Sequence, residues 1–182
     1  MKTEAKRMIH DENILQAMSI NPENGFRMLL AKYKEPIYWH IRRMVVNHDD
    51  AQDATQETFV RAFRHYRQCQ SSDKLRGWLF TIATREALRL LDKRKTDTLS
   101  LDEDIAQLAD EYFDHADQVA VLLQKAILSL PRKQQLAFNL RYYDDLSYAE
   151  IASVADCSDA AAKANYHIAK EKIVKYIQSN DL

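Results

Sequence analysis

Apolar residues recur along this chain at three- and four-residue intervals, in blocks separated by short polar stretches. Asp11 to Ser19 reads as a short helix that stops near Asn21-Pro22. A second begins near Glu23 or Asn24, with Phe26, Leu29, Leu30 and Tyr33 at helical spacing. Pro36 is expected to break or kink it, and the pattern resumes with Ile37, Ile41, Met44 and Val45. Asp49 to Arg67 is the cleanest helix. Ala51, Ala54, Thr55, Thr58, Phe59, Ala62, Phe63 and Tyr66 form its unbroken inward stripe. Asp49 or Asp50 is placed to cap it. Beside the stripe run Asp53, Gln56, Glu57, Val60, Arg61 and Arg64. On pattern alone this reads first as a solvated face; Val60, an apolar residue within it, is the anomaly that leaves a contact surface open as the alternative.

A polar connection (Gln68 to Lys74) leads to Gly77, which precedes a helix from Trp78 to about Lys95. Its apolar residues are Trp78, Leu79, Ile82, Ala83, Ala87, Leu90 and Leu91. Its cations are Arg85, Arg89, Lys93, Arg94 and Lys95, against only Glu86 and Asp92. A basic helix beside aromatic residues and a polar loop suits single-stranded nucleic acid, where cations track phosphates and pockets hold bases.

The last third of the chain carries a sharper signal. Val119 to Leu130 is apolar at helical spacing, and Pro131 is placed for the first turn of the next helix, which Asp144-Asp145 ends. Ser147-Tyr-Ala-Glu150 is a capping box. It opens a short helix that closes at an Asp156-Cys157 turn, and Ser158 is placed to cap a final long helix. On that helix Ala162, Tyr166, Ala169 and Ile173 face inward, while Ala160, Lys163, Ala164 and His167 face outward. This is the pattern of a helix-turn-helix, whose second helix enters the major groove by its N-terminal part. Small side chains let the backbone approach. Lys163 is suited to guanine or phosphate, and His167 to a base edge or phosphate. Lys170 adds charge, and the amides near Ser147 and Ser158 offer phosphate contacts.

Charge and composition sharpen this division. Thr96 to Gln118 holds eight acidic residues and neither Lys nor Arg, so the rest of the chain sums to +7 although the whole is −1. Two cationic modules on an anionic tether are expected. Two glycines and three prolines in 182 residues leave little for hairpins, so the fold class expected is all-α. It reads as two small helical domains joined by an acidic linker, at 1–95, 96–118 and 119–182, the second domain containing the helix-turn-helix. Cys69 and Cys157 lack metal-ligand spacing and read as free thiols in a reducing compartment. No apolar run reaches membrane-spanning length and no signal-type segment opens the chain, so a cytoplasmic protein with no membrane insertion is expected. His48 with Asp49, Asp50 and Asp53 has a superficial look of metal ligands, but capping explains these residues better. His40 reads as structural. No catalytic triad, paired-carboxylate or phosphate-loop pattern occurs, so neither an enzyme nor a cofactor is expected. The rivals left open are a one-piece helix-turn-helix regulator and an interaction scaffold.

Four segments, in order, resemble the extracytoplasmic-function sigma factors, bacterial transcription initiation factors. Asp50-Ala-Gln-Asp-Ala-Thr-Gln-Glu-Thr-Phe59 is similar to the family's DAEDLTQEVF signature. Gly77 to Ala83 resembles GWLYTIA, and Leu130 to Phe138 resembles LPEKQRLVF. Tyr148 to Ala169 is similar to YEEIAEILGISEGTVKSRLHRA. The resemblance covers roughly Phe26 to Ile177. It departs at Arg85, where the family often has Asn, at Ala161-Ala162 in place of Thr-Val, and at Ile168 in place of Arg; these positions bear on promoter sequence.

The resemblance implies partners and roles. Core RNA polymerase would be met through its beta-prime clamp helices and beta subunit, the former at Asp53, Gln56, Glu57 and Val60. The loop from Gln68 to Arg76 would capture an extruded base of the minus-ten element. Lys74, Arg76, Arg85, Arg89, Lys93, Arg94 and Lys95 would hold that single strand. Ser147, Ser158, Ala160, Lys163, Ala164, His167 and Lys170 would read the minus-thirty-five duplex. Trp78 would be a core residue, the acidic bridge would thread the polymerase cleft, and an anti-sigma factor is a further partner of many members.

Overall fold

The computed structural model describes residues 9–94 and 118–180. Eight α-helices and one 3-10 turn, with no strand, occur among them. In chain order these are α1 (Asp11–Ile20), α2 (Pro22–Val45), α3 (His48–His65), the 3-10 turn (Tyr66–Gln68) and α4 (Ser72–Arg94). Then come α5 (Gln118–Leu128), α6 (Arg132–Tyr142), α7 (Tyr148–Ala155) and α8 (Asp159–Asn180). The acidic bridge expected at 96–118 lies outside the described residues, apart from Gln118, which opens α5.

The first four helices form one bundle. Asn21 caps α2 by accepting from the Asn24 amide at 3.1 Å, and Pro22 takes the first turn, where its missing N–H costs nothing. Pro36 does not break the helix: α2 runs through it as one element of 24 residues. The backbone bond lost there is offset by burial on both sides, since Leu29, Tyr33, Ile37 and Ile41 are all in the core. α2 ends at Val46, whose positive φ of 68° reverses the chain. α3 is capped by Asn47, which accepts from the Asp50 amide at 3.0 Å, and not by Asp49 or Asp50. Those two carboxylates sit in the first turn, favourably placed in the helix dipole. α4 also begins earlier than expected. The stretch from Ser72 to Arg76 is its first turn, so Gly77 lies inside the helix. The fully buried Leu75 anchors this turn.

The second bundle is α5 to α8. Ala126, Ile127, Leu130, Phe138, Ala169 and Ile173 make its own core. Pro131 stands at the cap of α6, one position before the expected first turn.

The two bundles are not held apart. α7 packs on α4 and α6 touches α2. One hydrophobic cluster contains Leu75, Leu79 and Phe80 of the first bundle together with Leu140, Leu146 and Ile151 of the second. Each such side chain contributes about 1.5–3 kcal/mol by leaving water. The exposed Arg132–Asp92 ion pair across the same seam (2.7 Å) contributes about 1 kcal/mol at most. Apolar burial therefore decides the docking.

Candidate functional site

The stripe on α3 is built as expected. Asp53 and Gln56 are exposed and Val60 is 40% exposed. Glu57 is less free: it accepts from Arg61 Nε at 2.9 Å. The same Arg61 nitrogen lies 2.9 Å from Glu86 Oε1, and Glu86, buried on α4, also takes Arg89 at 2.8 Å. A relay of charges thus orients Glu57. Phe63, expected on the inward stripe, is 39% exposed instead. It meets Phe26 edge-on at 5.0 Å and borders, with Val60, Glu23 and Arg64, an apolar groove of about 640 Å³. Its position three residues after Val60 was the available signal.

The cations of α4 are not equivalent. Lys74 is exposed and bonds Gln70 Oε1 at 3.2 Å. Arg85 and Lys93 are exposed. Arg89 reaches solvent but is paired with Glu86. Arg76 is half-buried, and its guanidinium donates to the backbone carbonyl of Asp144 in the second bundle. The side chain of Arg94, and Lys95, lie outside the described residues. Trp78 packs against the core, as its expected role requires. Burial pushes the Cys69 thiol above its usual range, away from a reactive thiolate, and its hydrogen donates to the Ser71 carbonyl at 3.4 Å.

The helix-turn-helix is held by local bonds. Ser147 accepts from the Glu150 amide at 3.3 Å, and Glu150 Oε2 accepts from the Ser147 amide at 2.7 Å. Asp156 turns the chain with φ 51°, and Ser158 Oγ accepts from the Ala161 amide at 3.1 Å. Both hydroxyls are thus committed to caps. Ala162, Ala169 and Ile173 are buried, with Tyr166 stacked at 5.9 Å on Phe138. Ser158, Ala160, Lys163, Ala164, His167 and Lys170 are all exposed. Among the described residues α8 packs only on α5, α6 and α7, which leaves its outer face uncovered by them.

Sequence reasoning missed the polar centre of the seam. His40 is fully buried, its Nδ1 3.0 Å from Asp144 Oδ2 and its Nε2 2.9 Å from Thr84 Oγ1. Arg43 Nη2 donates to Asp144 Oδ1 at 2.5 Å and stacks over the Tyr143 ring at 4.5 Å. A cleft of about 580 Å³, lined in part by Trp39, Arg43, Arg76 and Tyr143, opens beside this cluster. Taking one partner out of such a buried ion pair costs about 3–5 kcal/mol, although the pair itself is a weak net stabiliser. Elsewhere His48 is engaged at both ring nitrogens, by Tyr38 at 2.8 Å and Gln52 at 2.7 Å. Among the described residues no group of three His, Cys, Asp or Glu is placed to hold a metal, and no helix is long and apolar enough to cross a membrane.

Comparison with known proteins adds identity to this geometry. Residues 29–96 match the family described as Sigma-70 region 2, and residues 120–173 match Sigma-70, region 4. The chain is similar to the RNA polymerase sigma-H factor of Pseudomonas aeruginosa, 27% identical over an alignment that covers 92% of this chain and 94% of that protein. It is also similar to the ECF RNA polymerase sigma factor SigW of Bacillus subtilis, 28% identical over 86% of this chain and 90% of that one. Its fold is that of the sigma factor RpoE solved in complex with the anti-sigma factor NepR from Bartonella quintana. The TM-score is 0.67 and the identity 20%, over 85% of this chain and 98% of that one.

Proposed function

From the premise that this chain belongs to the extracytoplasmic-function sigma factors of the sigma-70 family, we propose how its surfaces share the work of transcription initiation. Such a factor binds core RNA polymerase and recognises promoter DNA. Asp53, Gln56, Glu57 and Val60 dock on the clamp helices of the beta-prime subunit. Lys74, Arg76, Arg85, Arg89 and Lys93, with Arg94 and Lys95, hold the melted minus-ten strand. The outer face of α8, from Ser158 through Lys163 and His167 to Lys170, reads the minus-thirty-five duplex, with the α7 N-terminus at Ser147 beside it. The chain makes and breaks no covalent bond. It acts in the cytoplasm by favouring the open strand over the duplex, which repays the few kcal/mol needed to extrude a base. An anti-sigma factor is a further partner in this reading, supported by the similar fold of RpoE, solved in complex with one.

What supports this division is one observation. The two sigma-70 regions match in order over the two bundles, and the exposed acidic stripe and the exposed recognition face fall one on each.

The test is run-off transcription with purified core polymerase on host genomic fragments. The wild-type chain is expected to start RNA synthesis. Asp53→Lys with Glu57→Lys is expected to abolish co-purification with core while leaving the circular dichroism spectrum unchanged. A complex that survives the double reversal defeats the clamp assignment. DNA binding without any polymerase-dependent transcript would favour the one-piece regulator.

A further inference from the structure

Two guanidinium groups line the cleft of about 580 Å³ at the seam, Arg43 from α2 and Arg76 from α4. They share one residue, Asp144. Its Oδ1 takes Arg43 Nη2, while its backbone carbonyl, a neutral group, takes Arg76. Among the described residues no carboxylate pairs with Arg76. No acceptor meets Arg43 Nε, although the Arg43 side chain is only 7% exposed. A buried donor without an acceptor is costly, and native structures keep few of them. The third cation of the lining, Lys32, is already tied to Asp11 at 2.7 Å. Glu35, the other acid of the lining, is exposed. Much of the remaining wall is aromatic. Trp39 and Tyr143 are 36% and 37% exposed, and Tyr33 and Phe80 add two more rings. Arg43 lies over the Tyr143 ring at 4.5 Å, a contact that holds the guanidinium at this wall.

We propose that this cleft is a binding site for a small planar ring bearing one acidic group, a phosphate or a carboxylate. Its size falls within the range of about 300–1,000 Å³ that small-molecule sites occupy, and a mostly apolar wall with a few convergent polar groups is their usual make-up. The acid supplies the anion that Arg76 lacks and an acceptor for Arg43 Nε. A guanidinium carries five donors in a planar fork, so two of them serve Asp144 and a ligand oxygen together. The ring lies against Trp39 and Tyr143, whose open faces gain by leaving water. The walls come from both bundles, so the occupant binds the folded, docked chain and not the unfolded one, and stabilises it by mass action.

The test is isothermal titration of the full chain with two probes, adenosine monophosphate for the phosphate and indole-3-acetate for the carboxylate. Adenosine and tryptophol, which keep the rings and lack the acids, are the neutral controls. At least one acid is expected to bind one to one, and its neutral control about tenfold more weakly or not at all. Binding by both acids supports the shared chemistry, and binding by one assigns the site to that acid. At about one hundred times its Kd the bound acid is expected to raise the thermal unfolding midpoint by about 5–10 °C. Arg76→Gln and Trp39→Leu are each expected to weaken binding about tenfold. Trp39 is exposed enough for its variant to keep the wild-type circular dichroism spectrum, so the test survives if Arg76→Gln alters the fold. The site is overturned if neither acid binds up to about 1 mM, an affinity too weak to matter here. It is equally overturned if the neutral controls bind as tightly as the acids, or if Trp39→Leu and Arg76→Gln both bind like the wild type.

Discussion

Gly25 shows how much a single residue decides. A Cβ there would lie 2.3 Å from the Met18 backbone nitrogen and 2.6 Å from its Cα, so α1 and α2 touch backbone to backbone. Real Cβ atoms do not approach that closely, and the obstacle is main chain, which cannot rotate away. Gly25→Ala must push α1 off the bundle and unseat Ile14 and Met18, both buried. A loss of about 1–3 kcal/mol is expected, seen as a lower midpoint in thermal unfolding followed by circular dichroism. A midpoint equal to wild type would mean that α1 does not sit where it is placed. Nothing in the sequence marks this glycine, because close approach is a property of two segments. Phe63 carries the same lesson. Spacing put it on the inward stripe, and only the position of Phe26 reveals that it edges a groove.

At the scale of elements, local chemistry was the better guide. The helix-turn-helix was legible because a capping box and a Ser cap are written within four residues of where they act. The start of α4 was not. Polar residues from Ser71 to Lys74 resemble a loop, but Asp73 suits a first helical turn, with its carboxyl held below the usual range by a hydrogen bond from Ser71. Buried Leu75 then fixes the turn against the core. The outer face of α8 carries the sharpest element-level prediction. Lys163→Ala should weaken binding to duplex carrying the upstream element. If Lys163 reads guanine, the loss is about 1–3 kcal/mol and specificity relaxes at one position. If it holds a phosphate, the loss is uniform across sequences and the salt slope flattens by about one unit. Titrations at several salt concentrations separate the two, and unchanged affinity in all of them removes Lys163 from the interface.

For the whole molecule, the shared core has a thermodynamic consequence. Leu75 and Phe80 lie in one cluster with Leu146 and Ile151, so neither bundle can unfold without exposing the other. Calorimetry on the full chain is expected to give one transition with equal calorimetric and van't Hoff enthalpies. Two transitions in the wild type would mean that the bundles are independent.

The sequence by itself determined the all-helical class, the order of the helices, the caps of α7 and α8 and the outward faces of α3 and α8. These follow from interactions between residues three or four apart, and periodicity records such interactions directly. Which carboxylate closes on which cations was decided only in three dimensions. With 26 basic and 27 acidic side chains available, charge complementarity alone has no unique solution. Asp144 finds His40 and Arg43 because apolar burial between α4 and α7 brings those positions together, and no local pattern spans a hundred residues.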